Sequence, residues 1–177
     1  MGQLQEAGHM GIRYYAYAFD DALTERALAN PQSILSADPL ADAWGLEPGA
    51  AVSLATFEQV IPERDMLYLD KAWRHLQDLT GSTGEDGSAR PAYRMFEGTV
   101  RMHRLGWDPW VRALAPDEMP GIARDLENVD ESRLADFAGS GVDSVVETDY
   151  ARQYLRRARE FASRLADEHR GMVYMIG

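Results

Sequence analysis

The chain has 177 residues, 45% hydrophobic and 27% charged, a balance that fits one folded domain and excludes disorder along its whole length. Its 18 basic and 29 acidic residues leave a net charge of −11, and because residues 143–170 carry six charges of each sign, the acidic excess lies in the first 142. Such a surface repels duplex nucleic acid and anionic membranes, and the absence of cysteine removes disulfides, thiolate metal sites and a cysteine nucleophile.

The first residues, "MGQLQEAGHM", have neither the basic nor the apolar region of a signal peptide. Residues 1–9 read as an N-terminal extension, Met10 as the expected start, and 10–177 as a single domain. "GIRYYAYAF", 11–19, has the aromatic enrichment of a buried strand. Asp20 and Asp21 then open a helix that Asn30-Pro31 closes. "DPLADAW", 38–44, predicts a short helix, whereas "VSLATFEQV", 52–60, fits helix or strand. Met66, Leu69, Ala72, Trp73, Leu76 and Leu79 fall on one stripe at helical spacing and predict a helix over 66–79. "TGSTGEDGSARP", 80–91, is a solvated loop.

"YRMFEGTVRMHRL" and "WVRALA" are strand candidates, with "GWDPW" as a turn between them. "PDEMPGIARDLENV" has helical spacing, and its Pro120 requires a place in the first turn, so Asp117 is expected as the cap rather than Ala115. "DESRLADFAG" predicts a short helix capped by Asp130 and stopped at Gly139. The longest helix follows, with Tyr150, Tyr154, Leu155, Ala158, Phe161, Ala162 and Leu165 on its apolar face, and "MVYMI" is a terminal strand. These elements predict an α+β domain: a mixed β-sheet holding the first and last strands, helices packed around it, and the long C-terminal helix followed by a strand. No apolar run approaches the roughly 20 residues of a membrane span, so the expected location is cytoplasmic.

Phosphate-loop, dinucleotide, nucleophile-elbow and zinc-protease signatures are all absent. The four histidines (His9, His75, His103, His169) have no partners at metal-ligand spacing, so neither a metal nor another cofactor is expected. Two features remain. Trp107 and Trp110 flank Asp108-Pro109 and either pack on the core or wall a pocket or partner surface. Lys71 is the one lysine among 18 basic side chains. At helical spacing it and Asp70 lie off the apolar stripe, solvated, with Asp70 and Arg74 as an i,i+4 pair. If another segment covered that face, Lys71 would be a desolvated point charge that arginine could not replace, fit to pair, bind an anion, or act as base or nucleophile.

"LYLDKAWRHLQDLTG" resembles the central motif of the YfbM-like proteins, a bacterial family of unknown function, in which a D-K-x-W helix runs into a threonine-glycine stop. "MGIRYYAYAF", "WDPWVRALAPDEMPGIARDLENVDESRL" and the stretch from Tyr150 to the end resemble the family's start, its strand with Pro-acid helix, and its last helix and strand. Ala115 stands where the family has threonine, and Pro120 is atypical. The resemblance implies a compact α+β domain and marks Asp70, Lys71 and Trp73 as motif positions; it implies no activity.

Two functions are in view. The first is a small acidic interaction module, an inhibitor- or immunity-type partner of a basic protein, with an aromatic patch at Trp107 and Trp110 rimmed by acids. The alternative is a small-molecule binder or enzyme with a cleft near Lys71, lined by Asp70 and by His75 or His103. The motif itself reads best as architectural: Asp70 or Lys71 bonding a backbone segment.

Overall fold

The computed structural model describes residues 11–44, 61–81, 88–137 and 142–177. The expectations for residues 1–9 and 52–60 and for Gly139 fall outside these.

Strand β1, Tyr14–Asp20, forms from the tyrosine-rich stretch and is buried on both faces. Its alternation sorts the core into two layers. Tyr14 and Ala16 point into the larger cluster, whereas Tyr15, Tyr17 and Phe19 enter two smaller ones on the other face. Helices α1, Thr24–Ala29, and α2, Pro39–Trp44, supply that second face, with Ala27, Leu40 and Ala43 against the sheet. Tyr17 ties α2 down by donating its hydroxyl to Asp42 Oδ2 at 2.7 Å.

The predicted helix over 66–79 is two elements. Met66–Asp70 is strand β2, and helix α3 begins only at Trp73–Thr80. The helical stripe is coincidental in its first turn. Met66, Leu67 and Leu69 are all buried because β2 is covered on both faces, and a continuous apolar run satisfies either period.

Two strands form a separate hairpin: β3, Arg101–His103, and β4, Gly106–Asp108. Strand β5, Trp110–Leu114, then enters the main sheet. Helix α4, Met119–Glu127, follows a 3-10 turn at Pro116–Glu118. Asp117 does not cap it. Glu118 Oε2 instead accepts the backbone N–H of Ala115 at 2.8 Å, half of a capping box whose other half Ala115, with no side-chain acceptor, cannot supply. Pro120 sits in the first turn of α4, where its missing N–H costs nothing. Asp130 caps as expected, accepting Ser132 N–H at 3.0 Å ahead of α5, Leu134–Phe137. Helix α6, Val142–Asp167, is the longest at 26 residues, and strand β6, Arg170–Ile176, ends the fold.

The sheet order is β2-β1-β6-β5, so the first and last strands are its centre, as expected. Every neighbouring pair is antiparallel, so the sheet is not the mixed one predicted. Helices α3, α4 and α6 cover the face that holds the larger cluster, including Leu76, Ile122, Leu126, Leu155, Phe161, Met172 and Tyr174. Tyr14 and Tyr174 stack there with centroids 5.3 Å apart, and both hydroxyls donate to carbonyls of the 91–97 segment: Tyr14 to Met95 at 2.8 Å, Tyr174 to Glu97 at 2.7 Å. Burial of such aromatic bodies with satisfied hydroxyls is how a tyrosine-rich strand serves as a sheet centre.

Candidate functional site

Strands β1 and β2 do not pair in constant register. Tyr14 lies opposite Asp70 but Tyr15 lies opposite Tyr68, so β2 carries an extra residue at Leu69. Asp70 follows with φ +48°, a left-handed conformation that aspartate tolerates better than most residues. Bulge and turn together aim its carboxylate sideways at three donors. Oδ1 accepts Tyr68 Oη at 3.0 Å and Arg13 Nε at 3.1 Å, and Oδ2 accepts Tyr150 Oη at 2.7 Å. Tyr150 Oη in turn accepts the backbone N–H of Lys71 at 3.3 Å. One carboxylate thus joins the start of β1, the end of β2 and the first half of α6.

Rings surround this junction. Tyr15 packs on Tyr68 at 5.4 Å, Tyr154 meets Tyr150 edge-on at 4.9 Å, and the Arg13 guanidinium lies 5.9 Å from the Trp44 ring. Partial burial pushes the Asp70 carboxyl up, but the hydrogen bonds from Tyr150 and Tyr68 and the charge of Arg13 outweigh it and hold the group below its ordinary value. Burial, reinforced by the Asp70 charge, raises the hydroxyls of Tyr150 and Tyr68 well above the usual phenol range. Asp70 is therefore ionised and its tyrosine partners protonated at neutral pH, a static arrangement with its proton positions fixed.

The motif residues divide. Asp70 is the hub, paired with Arg13 rather than with the expected Arg74, whose guanidinium lies over Trp73 at 5.5 Å. Lys71 is exposed, in the turn before α3 rather than on a helix. Trp73 is buried, with its indole Nε1 donating to Ile12 O at 3.5 Å. His75 does not join Asp70; its Nε2 lies 3.1 Å from Glu147 Oε1. His103 sits on the β3–β4 hairpin, 3.5 Å from Asp108. Sequence reasoning missed Arg13, Trp44, Tyr68 and Tyr150. Arg13 and Tyr150 lie 57 and 80 residues from Asp70 in sequence, and nothing local signals them.

Trp107 and Trp110 also divide. Trp110 is half-buried against the core, and its ring fills the space where a Cβ on Gly98 (φ +144°) would stand, 2.4 Å from the indole. Glycine is required there. Trp107 belongs to the hairpin, where it is 37% exposed beside Met102 at 43% and Leu105 at 95%. The expected aromatic patch is thus Trp107 with two aliphatic neighbours, without Trp110. Its rim is basic rather than acidic: Arg101, His103 and Arg104 are exposed around it, with Asp108 as the one acid of the hairpin.

A groove of about 340 Å³ runs beside α3, with Trp73, Arg74 and Asp78 on one wall and Gly98 and Thr99 on the other. Lys71 lines no part of it. No described helix is long and apolar enough to cross a membrane, and no group of three His, Asp or Glu among the described residues is placed to hold a metal.

An antiparallel sheet with α3, α4 and α6 on one face, and a long last helix feeding a central strand, defines the class: an α+β fold of the YfbM type. The chain is similar to the solved structure of YfbM from Escherichia coli, a protein of unknown function, with a TM-score of 0.53 and 16% sequence identity over 93% of this chain and 99% of that one. At that identity the likeness is one of fold, and it bears out at that level the resemblance carried by "LYLDKAWRHLQDLTG". No family model and no curated protein sequence matches the chain.

Proposed function

We propose that the chain is a binding module whose docking element is the β3–β4 hairpin. The observation that carries this reading is the exposure of Met102, Leu105 and Trp107 within eight residues, Arg101–Asp108, both of whose strands face solvent. Water-exposed aliphatic and aromatic side chains crowded on one projecting element favour association over isolation. The hairpin holds two arginines against one aspartate, on a chain of net charge −11. Within the roughly 8 Å over which charges act in physiological salt, it fits an apolar pocket edged by acids. A basic partner matches the charge of the whole chain; an acidic-rimmed pocket matches the charge of the contact, and we take the latter as the occupant. The Asp70 junction supports binding over catalysis, since its carboxylate is committed to three structural donors. The charge-rich composition supports an aqueous, cytoplasmic setting.

A photoreactive amino acid at position 105 tests this in cells, with the same label at Leu28, 54% exposed on α1, as the control. One discrete adduct from position 105, absent at position 28 and lost on Trp107→Ser, is the expected result. Equal labelling from both positions, or no adduct at 105, overturns it.

A further inference from the structure

The hairpin fits an apolar surface edged by acids, and the chain carries such a surface itself. At the start of α6, Val145 and Val146 are 62% and 67% exposed. The stretch that holds them, "VDSVVETD" (142–149), has three acids and no base. Glu147 lies beside His75 and Asp149 beside Arg152, yet both carboxylates remain accessible to water. Leu23 and Leu28 are also exposed, but less than either valine, and Arg26 between them has the hairpin's own sign.

The two patches lie at the same end of the sheet. One row of register partners there runs Asp70, Tyr14, Ile176, Trp110, from β2 across to β5. The hairpin ends at Asp108, just before Trp110, so it stands at the β5 corner. Only Glu168 and His169 separate α6 from β6, so α6 runs back along the sheet towards that end. Tyr150 of α6 bonds Asp70 at the β2 corner, and Val145 lies five residues further out, about 7 Å at a rise of ~1.5 Å per residue. Three strand spacings, about 14 Å, separate the corners. Both patches are also on the same face: Val100 ahead of β3 and Trp110 after β4 pack into the larger cluster, which α6 covers.

We propose that the hairpin's partner is a second copy of this chain, an inference that rests on the hairpin being the docking element. Two copies meet end to end about a two-fold axis perpendicular to the sheet, through the middle of that end. The axis exchanges the two corners, so the hairpin of each copy lies on the α6 start of the other and both contacts form together. Leu105 and Trp107 cover Val145 and Val146, while Arg101 and Arg104 face the acids of the α6 start. Each chain carries −11, but that repulsion is screened beyond about 8 Å in physiological salt, whereas the opposite charges of the contact act within that distance.

Sedimentation of the full chain over a concentration series up to about 500 μM tests this. The mass should rise from one chain to two, with a midpoint at about 10–100 μM for two small contacts. Leu105→Ser and Val146→Ser alter exposed side chains, so the fold is kept, and each damages both contacts of the symmetric pair. Either alone should weaken association at least about ten-fold. Mixed one to one, the two variants should associate more tightly than either does alone, because a mixed pair rebuilds one intact contact. A chain that stays single throughout, a dimer that ignores either variant, or a mixture no tighter than its parts overturns the proposal. A position-105 adduct to a different protein, from a chain that stays single, overturns this inference and leaves the hairpin reading standing.

Discussion

The Asp70 junction and the β3–β4 hairpin hold the residues that first draw the eye in the sequence, and they are built in opposite ways. At the junction every polar group is turned inward: three donors from separate elements converge on one carboxylate. On the hairpin the apolar groups are turned outward, and Leu105 is almost wholly in water. A motif that stands out is therefore no sign of a site. The junction is what a fold needs to lock, whereas the hairpin contributes little to the fold and presents a surface.

That contrast can be broken by mutation, and the largest effect belongs beside the junction. Trp73→Ala should destabilise by about 4 kcal/mol in denaturant unfolding, because it empties a buried indole-sized space. Asp70→Ala should cost about 3 kcal/mol, combining the orphaned hydroxyls with the left-handed strain of an alanine at φ +48°. Asp70→Asn keeps the tolerated backbone and should cost only about half as much. The same residue sets a pH dependence. Because its folded pKa lies below that of an ordinary aspartate, its contribution is complete above the ordinary value and is lost as pH falls through the lower folded one. The stability gap between wild type and Asp70→Asn should therefore close in acid unfolding below about pH 4. Smallest are the exposed positions. Leu105→Ser and Lys71→Arg should each stay within about 0.5 kcal/mol of wild type. A larger penalty for Lys71→Arg would show that the lysine is required although its side chain has no partner among the described residues.

Most of the architecture is legible in the sequence where period and punctuation agree. β1, α1, α6 and β6 carry clean patterns bounded by Asn30-Pro31 or Gly171. The failure at 66–79 has a physical cause: β2 is buried on both faces, so "MLYLD" lacks the alternation that marks a half-exposed strand. The antiparallel order was hidden because it depends on crossovers that no local pattern encodes. The junction was half legible. Asp70 is picked out by its resemblance to a motif, but Tyr68, Tyr150 and Arg13 are ordinary residues until folding brings them together.

The pairing of β1 with β6 reaches further than packing. Tyr14 lies opposite Ile176, and Arg13 and Gly177 exchange both backbone hydrogen bonds, at 3.1 and 2.9 Å. The middle of the sheet thus joins residues more than 150 positions apart. Until residues 170–176 have been synthesised, β1 has one unpaired edge, and β5 has no partner in the sheet at all. Tyrosine-rich β1 must wait with that edge open until about 150 further residues have been made, because its closing contact is so distant in sequence. Completion of the sheet is therefore a late event in the life of each molecule, and a ribosome stalled before residue 170 leaves a chain with open edges and a strong tendency to aggregate.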